Sequence, residues 1–361
     1  MAMYSNAQAA APNRAREPAR DTESRAERSD AIDVVYTWVD GQDPQWQRSY
    51  GSYVGGAHSN PLAAETASRY FERDQLRYSL RSLEMYAPFV RHVYLVTANQ
   101  VPAWLDVDHP GLTVVPHSDI FPNAAHLPTF NSHSIETHLH RIKGLSERFL
   151  YVNDDVCFSR KTSVEDFFDE AGRPILYFDK RRVLWTRFAP GYRGLVHCAA
   201  RNNSRFLEDR FGFRITHRVD HVPYALRKST MEELWRLLPD ELERTSSNRT
   251  RDPSDHALPS SLAPFYGLCT GAYVAERRRQ STYIKLKGGL LNQLRAHVSL
   301  YKNTVWASTQ RKFISVNDSG RFDDSAITAR LVQRLLETHF PHACRFERPP
   351  VARTALAGST Q

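Results

Sequence analysis

The chain has 361 residues, of which 41% are hydrophobic and 11% aromatic, enough for a sizeable core in one large domain or two. Its four cysteines are scattered without a CxxC, and no run of about 18 apolar residues occurs, so zinc sites, a disulfide framework and a membrane-spanning helix are not expected. The net charge of +8 is uneven: residues 180–251 hold 16 Lys/Arg against 8 Asp/Glu, a surplus suited to a polyanionic partner or to a solvated Arg-rich face.

Residues 1–31 balance five Arg against five acidic residues, contain no apolar signal core and read as a disordered leader. Order begins at Ile32, where IDVVYTWV predicts a strand closed by the turn signal Asp40-Gly41. Residues 72–86 are helical, with Leu76, Leu80 and Leu83 on one face and Arg73, Arg77 and Arg81 four apart on another. RHVYLVTA (91–98) and LTVVPH (112–117) read as strands, and SIETHLHRIKGL as a short helix ending at Gly144. The strand RFLYV then stops at Asn153-Asp154-Asp155 before Val156-Cys157-Phe158 resumes the apolar run. This alternation implies an α/β sheet with much parallel pairing, whose ligands gather at the carboxyl ends of the strands.

Further on, ILYFD (175–179) predicts a strand. Ser229 and Glu232 form a capping box opening a helix with Met231, Leu234, Trp235 and Leu238 on one face. Residues 244–261 look like a long loop, 283–301 like a helical region, 312–316 like a strand ending in Asn317-Asp318, and 324–338 like a closing helix. The resulting division is a leader (1–31), one catalytic α/β domain (32–345) completed by the helical and loop-rich 180–300, and a flexible tail (346–361).

Two adjacent carboxylates at the end of a buried strand are costly unless something positive meets them. V-N-D recurs at 152–154 and 316–318, and such strand-end carboxylates suit Mg²⁺ or another hard cation bridging to phosphate; Asp and Asn are also simply favoured where strands turn. His138 and His140 are two apart, so they do not share a helix face for zinc. His221, in extended chain two residues before Pro223, has the chemistry of a general base. Arg251, in the long loop, has that of a phosphate clamp. The absence of a P-loop, GxGxxG and GxSxG argues against an ATPase, a dinucleotide enzyme and a serine hydrolase.

Taken together, DVVYTWVDG (33–41), residues 73–105, residues 126–158, HVPYALRKSTMEELW (221–235) and KFISVNDS (312–319) resemble, in order, four regions of the Stealth family. These are bacterial capsule and exopolysaccharide phosphotransferases similar to the animal N-acetylglucosamine-1-phosphotransferase. The resemblance implies a Rossmann-like, glycosyltransferase-A-like mixed sheet, largely parallel and flanked by helices, with an Arg-rich helical insertion. It implies transfer of a hexose 1-phosphate from a UDP-sugar to a glycan hydroxyl with release of UMP; the scattered cysteines separately fit a reducing cytoplasm. By motif position the family's catalytic residues fall on Glu136, Asp155 and His221, and its phosphate-binding arginine on Arg251. Asp154, Asp155 and Asp318 are the expected holders of Mg²⁺ or Mn²⁺. Tyr36, Thr37, Trp38, Asp40 and Gly41 would hold the nucleotide, helped by Arg77 and Arg81, with Asn131 and Ser132 at the sugar. The animal enzyme has Asn where this chain has Asp40 and carries inserted recognition modules absent here, which favours a glycan over a protein acceptor. Peripheral association with a polysaccharide export complex is compatible with this reading, and a nucleic-acid partner is not expected. Ordinary metal-dependent glycosyl transfer and non-enzymatic polyanion binding are the alternatives.

Overall fold

A computed structural model describes residues 31–54, 74–182, 194–286, 311–318 and 326–349. The expected leader, most of the tail and the side chain of Asp318 lie outside the described residues.

The central sheet has the order β3-β2-β1-β4-β8. Strands β1 (Ile32–Thr37), β2 (Val90–Thr97), β3 (Leu112–Pro116) and β4 (Arg148–Asn153) run parallel, and β8 (Tyr224–Arg227) adds an antiparallel edge. Parallel strands are covered on both faces, so these read as continuous apolar runs. Along β1, Val34 and Tyr36 pack with Leu76, Leu80 and Leu83 of helix α2 (Gln75–Tyr86). Val35, between them, faces Phe149 and Tyr151 together with Met231 and Leu234 of helix α5 (Lys228–Leu237). This is the largely parallel α/β sheet that the alternating pattern implied, in the Rossmann-like form that the resemblance implied.

Two residues after β4, strand β5 (Val156–Phe158) enters a different sheet, pairing antiparallel with β11 (Phe313–Asp318), which lies parallel to β10 (Ser281–Leu286). The Asp154-Asp155 turn is therefore the junction between two sheets. A third sheet joins β6 (Ile175–Arg182) to β7 (His217–Val219) and β9 (Val274–Glu276). The Arg-rich middle is largely helical, with α4 (Leu195–Phe211), α5 and α6 (Pro239–Ser247), and α7 (Ala263–Thr270) follows. Helix α1 (Pro44–Val54) follows β1, and α8 (Ala326–His339) closes the described chain. Among the described residues no helix is long and apolar enough to cross a membrane.

Several expectations are corrected. SIETHLHRIKGL is not one helix: α3 (Ser132–Glu136) gives way to a 3₁₀ turn at Leu139–Arg141. The Trp235 indole Nε1 donates to the Thr137 carbonyl at 2.7 Å, and Arg141 N donates to His138 O instead of that carbonyl. Ser229 does not cap α5, whose N-cap is Arg227; its hydroxyl donates to Glu147 Oε1 instead. The presumed loop 244–261 is shortened from both sides, by α6 up to Ser247 and by a helical turn from Leu258. The front of the expected helix 283–301 is strand β10, and 287–301 lie outside the described residues.

Candidate active site

Asp155 sits at the sheet junction, between the end of β4 at Asn153 and the start of β5 at Val156. Its Oδ1 lies 3.2 Å from Nε2 of His221, and its Oδ2 accepts from the Ser315 hydroxyl of β11 at 2.9 Å. The imidazole is 26% exposed and the carboxylate 10%, so the histidine is the more open of the two. A carboxylate at this distance holds the proton on Nε2, leaving Nδ1 as the basic nitrogen, 3.3 Å from the Tyr224 hydroxyl. Burial pulls the pKa of His221 down, but the charge and hydrogen bond of Asp155, helped by Asp220 and Asp154, outweigh it and leave the pKa raised. Asp220 is itself buried and accepts the backbone N–H groups of Gln280 at 2.7 Å and Ser281 at 2.8 Å. His221 is thus fastened to β10 through its neighbour.

Glu136 ends α3 beneath this pair. The Tyr151 hydroxyl donates to its Oε1 at 3.2 Å and lies 2.9 Å from Thr37 Oγ1, while Ser132 also hydrogen-bonds the carboxylate. Burial raises the pKa of Glu136 towards the protonated form. The rings of Tyr151 and Tyr224 stack at 6.3 Å, linking the Glu136 side of the site to the His221 side.

Arg251 reaches in from the turn after α6. Its Nη2 donates to Ser132 Oγ at 2.7 Å, and its Nη1 is buried without a hydrogen-bond partner. An orphaned guanidinium N–H is the kind of donor that an anionic ligand satisfies. The turn is held by Asp255, which is fully buried. It accepts from Asn131 Nδ2 at 2.9 Å, Asn248 Nδ2 at 2.8 Å and Asp252 N at 3.0 Å, and meets His133 Nδ1 at 3.1 Å.

Glu136, Asp155, His221, Arg251 and Ser132 are thereby connected in one neighbourhood. Other expected ligands are committed elsewhere. Tyr36 is buried in the core with its hydroxyl on Ser79 Oγ at 2.9 Å. Arg77 and Arg81 both bind Glu347, Arg81 through Nε and through Nη2 at 2.9 Å, so both guanidiniums are held on one buried carboxylate instead of standing free for a diphosphate. The Asn131 amide is consumed by the 248–255 turn and by His133 N, so it supports Arg251 instead of touching a sugar. Thr37 is spent on Tyr151, and Trp38 is largely buried with its N–H on Val96 O. Asp40 and Gly41 remain at the surface of the strand-end loop, where Gln100 accepts from Asp40 N and donates to Asp40 O. Tyr151, Tyr224, Asp220, Asp255 and Ser315 were not anticipated; their roles come from strand register and tertiary contact.

Asp154 and Asp155 supply adjacent hard oxygen donors, and Val316 N donates to Asp155 O at 3.3 Å, which brings the backbone before Asp318 alongside this turn. Among the described residues no group of three His, Cys, Asp or Glu side chains is placed to hold a metal ion.

Comparison with known sequences finds Stealth protein CR1, conserved region 1, over residues 30–56, CR2, conserved region 2, over 69–176, and CR3, conserved region 3, over 220–268. The exopolysaccharide phosphotransferase SCO6023 of Streptomyces coelicolor is 42% identical over 318 residues, covering 88% of this chain and 52% of that protein. The exopolysaccharide phosphotransferase CpsY of Mycobacterium tuberculosis is 34% identical over 327 residues, covering 88% and 58%. The chain thus spans about half the length of the curated relatives it matches. Among solved structures, the galactosyltransferase LgtC with donor and acceptor sugar analogues aligns with 11% identity and a TM-score of 0.38, covering 85% of this chain and 95% of that one.

Proposed function

Since the chain belongs to the Stealth family, we propose that it transfers a hexose 1-phosphate from a UDP-sugar to a sugar hydroxyl, releasing UMP and forming a phosphodiester in capsular or exopolysaccharide synthesis. The observation that carries this reading is the Asp155–His221 pair at the carboxyl end of the central sheet, its imidazole partly open to solvent.

In this mechanism the acceptor hydroxyl oxygen attacks the phosphorus next to the donor sugar. Nδ1 of His221 takes the hydroxyl proton, the bond from phosphorus to the UMP oxygen breaks, and UMP departs. Asp155 orients the imidazole through Nε2 and stabilises the imidazolium that forms. Arg251, held on Ser132, places Nη1 against the phosphate charge that burial would otherwise leave uncompensated. Glu136, pushed by burial towards its protonated form, is suited to hydrogen-bonding a sugar hydroxyl beside the diphosphate without adding to its repulsion. Mg²⁺ or Mn²⁺ on Asp154 and Asp155, with Asp318, would neutralise diphosphate charge when bound. The Asp40-Gly41 loop is the remaining candidate for the nucleotide. The UDP-sugar pool would place this reaction in the cytoplasm, with the enzyme meeting an export complex peripherally.

The test is identification of the released nucleotide. The protein is incubated with a panel of UDP-sugars, Mg²⁺ and short glycan acceptors. UMP, with phosphorus recovered in the glycan, is expected. UDP would mean ordinary glycosyl transfer and would remove the roles given to His221 and Arg251.

A further inference from the structure

An open cavity of about 840 Å³ lies between the 140–144 turn and helix α5. Its Lys228 end is remote from the catalytic turn. Arg227, the residue before α5, pairs with Arg148, the first residue of β4, whereas Asp154 and Asp155 follow the last residue of that strand. That end of the cavity therefore sits at the opposite end of β4, about 20 Å away at roughly 3.3 Å per strand residue, while Trp235 reaches the Thr137 carbonyl, next to Glu136.

Its lining is basic. Arg141 and Lys143 come from the turn, Lys228 and Arg236 from α5, and Glu232 is the one acid among them. Among the described residues none of these four cations is within ion-pair distance of a carboxylate. Trp235 also lines it, with His138 stacked at 5.2 Å and the Arg141 guanidinium 5.2 Å from the ring centroid. The ring therefore already anchors a cation. His140, also in the lining, is 5% exposed, and its Nδ1 has no hydrogen-bond partner. Burial pushes its pKa down to about 3, so it brings a neutral hydrogen-bonding nitrogen to a charged wall.

A membrane surface calls for exposed apolar residues between its cations, and none of the exposed large hydrophobic side chains among the described residues lies in this lining. A nucleic acid calls for aromatic rings free to stack on bases, and the one tryptophan here already carries His138 and Arg141. Several cations around an open hollow fit a flexible chain carrying a phosphate at intervals. We propose that this cavity binds a phosphate-bearing glycan, the growing product, away from the point of transfer. The identity of the glycan rests on the phosphodiester chemistry proposed above; the anionic character of the site does not.

The experiment measures equilibrium binding of a labelled short poly(hexose 1-phosphate) oligomer to the full chain. Comparators are a neutral oligosaccharide of equal length and vesicles of phosphatidylglycerol in phosphatidylcholine. The triple variant Arg141→Gln/Lys143→Gln/Arg236→Gln should bind the oligomer roughly tenfold more weakly or worse, as expected for losing three solvent-facing charge contacts. It should keep wild-type transfer to a monosaccharide acceptor, and Asp155→Asn should bind the oligomer as wild type does. Unchanged binding by the triple variant overturns the proposal, as does loss of binding in Asp155→Asn, equal binding of the neutral chain, or binding of vesicles in place of the oligomer. Should UDP be the released nucleotide, the transfer reading fails while oligomer binding is still read independently.

Discussion

Replacing Asp255 by Ala should disable the protein through Arg251 without touching any substrate. The carboxylate is fully buried and meets four groups within 3.1 Å: the side-chain amides of Asn131 and Asn248, the Asp252 N–H and His133 Nδ1. Leaving a buried donor unsatisfied costs about 1–3 kcal/mol each, and truncating one member of a buried network rarely exceeds about 5 kcal/mol because water and relaxation recover part of it. Taking about 3–5 kcal/mol, and about 2–4 °C per kcal/mol for a large domain, the melting temperature should fall by at least about 6 °C. At temperatures where the variant remains folded, the 248–255 turn no longer pins Arg251 to Ser132, and transfer should drop by about a hundredfold, the scale of losing one charge-stabilising donor. Calorimetry and nucleotide-release kinetics on the same preparation read both effects. A melting temperature within about 1 °C of wild type together with unchanged transfer would refute the reasoning.

His221→Ala should lose turnover far more than donor affinity, read from kcat and from UDP-sugar binding separately; a collapse of donor binding instead would contradict the general-base role. Glu347→Ala should destabilise by about 3–5 kcal/mol in urea denaturation, because it strands the Arg81 guanidinium, 9% exposed, without its partner. Acid should unfold the protein through its buried histidines. Burial pushes His138 to about 2, His140 to about 3, and His117 and His256 to about 4, all below the ordinary 6.5. The unfolded chain then binds more protons below pH 6.5, so the stabilising contribution is complete above that pH and is lost as pH falls towards the folded values. Four such groups amount to roughly 4 kcal/mol between pH 6.5 and 5.5, and a melting temperature flat across that interval would disprove the linkage.

What could be read from the residues followed how much of the apolar pattern each element carries alone. The parallel strands were legible because most of their buried positions are Val, Ile, Leu, Phe or Tyr, and α2 because Leu76, Leu80 and Leu83 repeat on one buried face. Helix α4 was not: its inward face is built from Ala199, Asn203 and Ser204 as much as from Leu195 and Leu207, and Asn203 Nδ2 donates to Ala257 O. Strand β10 was absorbed into a helical reading of 283–301, although its own apolar residues Ile284 and Leu286 are two apart, and pairing with β11 decides its conformation. At the site, Asp155 and His221 were visible as residue types at strand ends, but Ser315, Tyr224 and Asp220 act only through contacts that no local pattern encodes. Arg77 and Arg81 mislead for the converse reason, since an arginine stripe looks the same whether it awaits a phosphate or answers a distant Glu347.

The placement of Asp155 between two sheets has a consequence for assembly. Its carboxylate is gripped from one side by His221, just ahead of an edge strand of the central sheet, and from the other by Ser315, 160 residues away on the second sheet. Neither sheet alone orients it. Long loop closures are entropically late events, so competence for transfer should emerge only after both sheets have formed and docked, trailing the appearance of secondary structure during refolding. Recovery of activity is therefore a clock for the last long-range contact made by the chain.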